Sequence, residues 1–113
     1  MAVELGYLTV SVADVGRAMA FYGALFGWSF EHVSEGQSAH VGNTTLPLGL
    51  VGGGPADLRF LYFRVEDMRA MTTRVVELGG RVLEAHDYPS GANAVCDDGQ
   101  GTVFSLWQPA PGY

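Results

Sequence analysis

Cysteine, histidine and basic residues are all scarce in this chain of 113 residues, with one Cys, three His and six Lys plus Arg. A lone Cys96 excludes an internal disulfide and a cysteine-rich metal site. Within Ala92-Asn-Ala-Val-Cys96 it reads as a small buried hydrophobe of a strand, not as a nucleophile. Six basic residues against twelve acidic ones leave a net charge of −6. That balance lacks the basic footprint a polyanionic nucleic acid requires, and it suits a cationic or amine-bearing ligand. No apolar run approaches the ~18 residues of a membrane span. Met1-Ala-Val-Glu-Leu5 has no charged-then-apolar order of a signal peptide. The expectation is a cytoplasmic protein with no nucleic acid and no membrane as partner.

Motifs of common chemistry are missing too. The histidines show no His-x-His or His-Glu-x-x-His spacing, and Gly52-Gly-Gly54 lacks the Lys-Ser/Thr that completes a phosphate loop. His32 and His86 read as solvent-facing or hydrogen-bonded side chains. No Ser-His-Asp set can be argued from spacing. Asp97-Asp98 sits in a turn and reads as structural, so no catalytic residue is assigned.

What is present is a folded composition, 48% hydrophobic and 16% charged, in a chain long enough to bury a core. Its organising feature is an internal repeat at an offset of 53 residues. Tyr7-Leu-Thr-Val-Ser-Val-Ala-Asp14 aligns without a gap to Phe60-Leu-Tyr-Phe-Arg-Val-Glu-Asp67, and the match runs on to Leu25 over Leu78 and Gly27 over Gly80. Each copy reads as a strand, a capped helix and a glycine stop. Alternation in Leu5 to Val12 puts Leu8, Val10 and Val12 on one face and Tyr7, Thr9 and Ser11 on the other. Asp14 is placed to cap a helix whose stripe is Val15, Ala18, Met19, Tyr22 and Phe26, and Gly27 ends it. Strands are expected over Trp28 to Val33, Ser38 to Val41 and Leu46 to Val51.

Gly52-Gly-Gly-Pro55 then reads as the linker between module one, about 1–52, and module two, about 57–113, of a single domain. The second module repeats the order. It has a strand from Leu58 to Val65, a helix capped by Asp67 through Leu78, a strand opening over Arg81 to Glu84, and strands over Ala92 to Cys96 and Thr102 to Trp107. The fold class expected is α+β, two tandem βαβββ modules.

Three fragments in this order resemble the vicinal oxygen chelate superfamily, the glyoxalase, bleomycin-resistance and extradiol-dioxygenase group. They are Val10-Ser-Val-Ala-Asp14 before Phe21-Tyr-Gly-Ala-Leu-Phe-Gly27, Phe63-Arg-Val-Glu-Asp67 before Val76-Glu-Leu-Gly-Gly-Arg-Val82, and Asp98-Gly-Gln-Gly-Thr-Val-Phe-Ser-Leu-Trp-Gln-Pro109. The resemblance implies a glyoxalase-like fold in which each module curls four strands into half a barrel around a cleft, and it implies a homodimer. Its enzymes hold a divalent metal with His and carboxylate side chains and leave a position open for substrate oxygens.

At the positions matching that pattern the chain offers Tyr7, Phe60, Ser105 and the segment Leu46-Pro-Leu-Gly-Leu-Val51. None is a His or a carboxylate, so no metal and no cofactor is expected there. Strand alternation instead turns Tyr7, Thr9, Phe60, Tyr62, Ser105 and Trp107 to the cleft, with His40 nearby as a polar contact or base. Flat aromatic walls with few polar groups suit a small aromatic or polycyclic ligand. The leading expectation is a metal-free protein that sequesters a hydrophobic aromatic natural product or antibiotic by mass action. Two alternatives stand beside it. One is an enzyme, either a metal-free isomerase or cyclase or a lyase or dioxygenase with a displaced metal site. The other is a dimeric interaction module with no ligand.

Overall fold

The computed structural model describes residues 1–113 as ten elements in two compact units, Met1–Gly54 and Pro55–Tyr113. The boundary falls inside the linker expected from Gly52-Gly-Gly-Pro55. Unit 1 contains β1 (Leu8–Val12), α1 (Val15–Phe26), β2 (Phe30–Ser34), β3 (Ser38–Val41) and β4 (Leu48–Gly52). Unit 2 contains β5 (Asp57–Arg64), α2 (Met68–Glu77), β6 (Arg81–Tyr88), β7 (Gly91–Asp97) and β8 (Val103–Pro109). The sheet orders are β1-β4-β3-β2 and β5-β8-β7-β6, one topology used twice. Each is βαβββ, with the first strand parallel to the last and the other pairs antiparallel.

In unit 1 the helix covers one face of the sheet. Val10 and Val12 of β1, Ala39 and Val41 of β3, and Leu48 and Leu50 of β4 are buried with Val15, Ala18, Phe21, Tyr22 and Leu25 of α1. The helical stripe is thus broader than the one expected, because Phe21 and Leu25 join it. In unit 2 the corresponding core is Val65, Val75, Ala94, Cys96, Phe104 and Leu106. Both helices start as the sequence requires. Asp14 Oδ1 accepts from Arg17 N and Asp67 Oδ1 from Ala70 N, each at 3.0 Å. Each bond satisfies an amide the first helical turn leaves open. Asp67→Ala should therefore lower stability by about 1 kcal/mol, read as a reduced urea midpoint with an unchanged slope; no change would show the cap to be energetically idle.

Several strand ends differ from the expected ones for local reasons. The strand expected from Leu46 begins at Leu48, past Pro47, which has no N–H to give a ladder. The strand expected from Trp28 begins at Phe30. Ser29 N is taken by Asn43 Oδ1 at 2.9 Å, and the Trp28 ring packs on Tyr22 and Phe26 at 5.8 and 5.1 Å between centroids. Tyr7 and Leu5 precede β1 and do not extend it. The sixth strand runs on past Glu84 to Tyr88, an edge strand exposed at all eight positions. No helix is long and apolar enough to cross a membrane.

Candidate functional site

Five of the residues that alternation set apart from the core, Tyr7, Thr9, Phe60, Tyr62 and Trp107, line two pockets. In unit 2, Phe60, Tyr62 and Trp107 line a pocket of about 510 Å³, joined by Leu61, Tyr88, Ser90 and Asn93. The volume lies within the ~300–1,000 Å³ range of small-molecule sites. The fifth strand is irregular here. Its pairing with β8 jumps from Leu58↔Phe104 to Tyr62↔Ser105, so Arg59, Phe60 and Leu61 bulge from the ladder. A bulge re-aims side chains, and Phe60 stands 79% exposed at this one. Arg59 is tied down beside it by Asp57 at 3.0 Å and Glu84 at 3.4 Å. The guanidinium holds the Asp57 carboxyl below the usual carboxylate range, chiefly through their side-chain hydrogen bond.

Trp107 forms the floor. Its Nε1 donates to Ser90 O at 3.1 Å, and Arg64 Cζ lies 5.6 Å from the ring centroid. Both contacts fix the indole plane, the second as a cation–π pair. Asn93 is its register partner on β7.

Ser105 does not belong to this pocket, contrary to the expectation. It is fully buried, and its Oγ donates to Arg59 O at 2.5 Å. The bulge is the reason, because it leaves a carbonyl without a ladder partner and the Ser105 hydroxyl meets it. Tyr88, Ser90 and Asn93 were missed by the sequence reading. Period-two extension of β6 beyond Glu84 would have brought Tyr88 to the face of His86; nothing in the sequence marks Ser90.

In unit 1, Tyr7, Thr9 and His40 line a separate pocket of about 230 Å³ with His32 and Gly49. Tyr7 Oη lies 3.0 Å from His40 Nδ1. His40 is therefore a hydrogen-bonded histidine within a pocket, while His86 lies on β6 and pairs with Glu84 at 2.9 Å.

The residues at the superfamily's metal positions do not fit a metal. Phe60 has no donor atom, Ser105 is spent on a carbonyl, Tyr7 offers a phenol with no His or carboxylate at the other positions to share an ion, and β4 offers only Leu, Gly and Val. No group of three His, Cys, Asp or Glu elsewhere is arranged to hold an ion. The carboxylates of Asp97 and Asp98 are buried and accept the amides of Gly99, Gln100, Gly101 and Thr102, which makes them the frame of a turn. Burial pushes the Cys96 thiol up to about 11, so its thiolate is scarce at neutral pH.

The glyoxalase-like domain matches residues 7–107, nearly the whole of both units. The chain belongs to the glyoxalase-like domain family. Among curated relatives, the putative glyoxylase CFP32 of Mycobacterium tuberculosis is 36% identical over 107 residues, covering 83% of this chain. The chain spans only 40% of the length of that relative.

Among solved structures, TnmS3, an antibiotic binding protein from Streptomyces sp. CB03234, is 28% identical with a TM-score of 0.75, covering 97% of this chain and 99% of its own. The fosfomycin resistance protein FosX from Listeria monocytogenes, in complex with Mn(II), superposes with a TM-score of 0.80, covering 98% of this chain and 94% of its own. At 18% identity, that likeness shows the glyoxalase-like fold alone. The chain thus has the α+β fold of two βαβββ modules that its three sequence fragments implied.

Proposed function

We propose that this glyoxalase-like protein is a metal-free binder that sequesters a hydrophobic aromatic natural product or antibiotic. The observation that carries the reading is the unit 2 pocket, where four aromatic side chains, Phe60, Tyr62, Tyr88 and Trp107, converge around a few polar groups. Leaving such a face to water is costly, and a planar ligand covers it. Stacking on the rings adds about 0.5–1.5 kcal/mol per aromatic pair beyond burial. Thr9, Tyr7 and His40 line the smaller pocket of unit 1 and are the polar groups assigned to a ligand there. The likeness to an antibiotic binding protein at 28% identity supports the same class of role. The lack of His and carboxylate at the metal positions supports a reading without a metal.

The working form in this proposal is a cytoplasmic homodimer, for which the exposed edge strand β6 offers pairing surface; sedimentation velocity reports it. The test of function is a titration of tryptophan fluorescence with polycyclic natural products and with proflavine, a synthetic planar cation. Saturable quenching is expected, and titration with Mn, Ni and Zn should leave the protein metal-free after dialysis. Stoichiometric metal retention, or quenching by no compound, would reject the proposal. Turnover of a bound compound that is lost in His40→Ala would move the protein to the isomerase or cyclase reading.

A further inference from the structure

Thr9, Gly49, His40 and Glu31 form one continuous row across the sheet of unit 1, in the order β1-β4-β3-β2. Gly49 is the gap in that row. A Cβ there would lie 2.7 Å from Tyr7 Oη and 3.0 Å from Ala39 O. Through this gap the Tyr7 phenol reaches over β4 to His40, the two rings lying 21° from parallel with centroids 5.8 Å apart. On the far side of the imidazole, His40 Nε2 is 3.9 Å from Glu31 Oε1.

A carboxylate beside Nε2 favours the tautomer that carries its proton there, which leaves Nδ1 as an acceptor. In that tautomer Tyr7 Oη, 3.0 Å from Nδ1, donates its O–H to His40 and keeps a lone pair for the pocket. His32 adds a sign of function. It is the sole non-glycine residue with positive φ, at 51°, in the irregular stretch of β2 between Glu31 and Ser34. Such a conformation is sparsely populated and persists only where its surroundings hold it. It leaves the His32 ring 6.3 Å from that of His40 and its Nε2 4.0 Å from the same Glu31 oxygen.

We propose that unit 1 is a receptor for an acidic hydroxyl, a phenol or enol on a planar ligand, and that Tyr7, His40 and Glu31 relay its proton. The ligand O–H first donates to Tyr7 Oη. Its O–H bond then breaks, the proton passes to Tyr7 Oη, and the proton of Tyr7 passes to His40 Nδ1. The electron pair stays on the ligand oxygen, which now accepts the new Tyr7 O–H. The imidazolium is paired with the Glu31 carboxylate. No electron is gained or lost and no co-reactant enters.

The titratable groups facing His40 are Tyr7 from the segment before β1 and Glu31 with His32 from β2; Gly49 of β4 contributes no side chain. The inference deepens the sequestration reading by naming the ligand group held in unit 1, and it rests on that reading for the existence of a ligand.

The experiment uses 4-nitrophenol, whose phenolate band reports its ionisation. With the whole protein in excess, bound probe should ionise with an acid constant raised about tenfold over free probe, as expected of a neighbouring base and an opposite charge. Tyr7→Phe, which keeps the ring, and His40→Gln, which keeps a polar side chain, should each abolish that rise. Glu31→Gln should reduce it, and Arg74→Gln, on α2 of the other unit and outside both pockets, should leave it intact. An unchanged probe spectrum, or a rise that survives His40→Gln, overturns the inference. Unchanged nitrophenol alongside saturable quenching by a polycyclic compound overturns the relay and keeps the sequestration reading. Failure of both probes overturns both.

Discussion

Gly91→Ala should destabilise the protein by about 3 kcal/mol or more, a large share of the total for a small domain. Gly91 opens β7 at φ 138°, where an L side chain is strained. The added Cβ would also fall on Gln108 O, with Ala110 N at 2.8 Å and Trp107 Nε1 at 2.9 Å. Gln108 belongs to the β7–β8 ladder and Ala110 N donates to Ser90 O at 2.9 Å, so neither backbone atom can swing aside. Overpacking of this kind costs ~1–3 kcal/mol in addition to the conformational strain.

Gly27→Ala is the internal control. Gly27 also has positive φ, at 70°, but a Cβ there meets nothing within 4 Å. It should cost only the left-handed term, about 1–2 kcal/mol. Urea midpoints of the two variants separate strain from collision, and equal losses would show that the collision relaxes away. Gly91→Ala should in addition shift tryptophan emission, because Ser90 O anchors the Trp107 indole next to the substituted residue.

Phe60→Ala should weaken aromatic ligand binding by about ten- to hundredfold, the range of a binding hot spot, while leaving stability within ~0.5 kcal/mol of the parent. The two effects separate because Phe60 is 79% exposed on a bulge and supports no core residue. A ligand stacked on it removes from water a ring that folding alone does not cover. Trp107→Phe differs, because it loses the bond to Ser90 O and so affects stability as well as affinity. Titration of both variants with the compound that quenches the parent checks the point. Equal affinity in parent and Phe60→Ala would show that the exposed ring belongs to an interface and not to a ligand site.

The repeat was legible because its two copies obey the same local rules. Alternation in Tyr7–Val12 and Phe60–Val65, with Asp14 and Asp67 as caps, is a property of sequence neighbours, so both strand–helix units and the helix-covered faces could be read directly. The same period set Tyr7, Thr9, Phe60, Tyr62 and Trp107 apart from the core, and these residues line the two pockets. It failed at Ser105, because alternation assumes an unbroken ladder and the bulge at Arg59-Phe60-Leu61 breaks it. Ser90 was out of reach for a related cause, since it joins the pocket from the turn that links the paired strands β6 and β7.

By itself, then, the sequence determined the family fold, the aromatic character of one face and the lack of metal-ligating side chains at the superfamily's positions. These follow from residue identity and from spacings of two to four residues. Only the tertiary structure decided that Ser105 is spent on a carbonyl, that Phe60 is thrust outward, and that Tyr7 meets His40 across the gap at Gly49. Each depends on strand register, which joins residues tens of positions apart, and no local periodicity encodes which of them will touch.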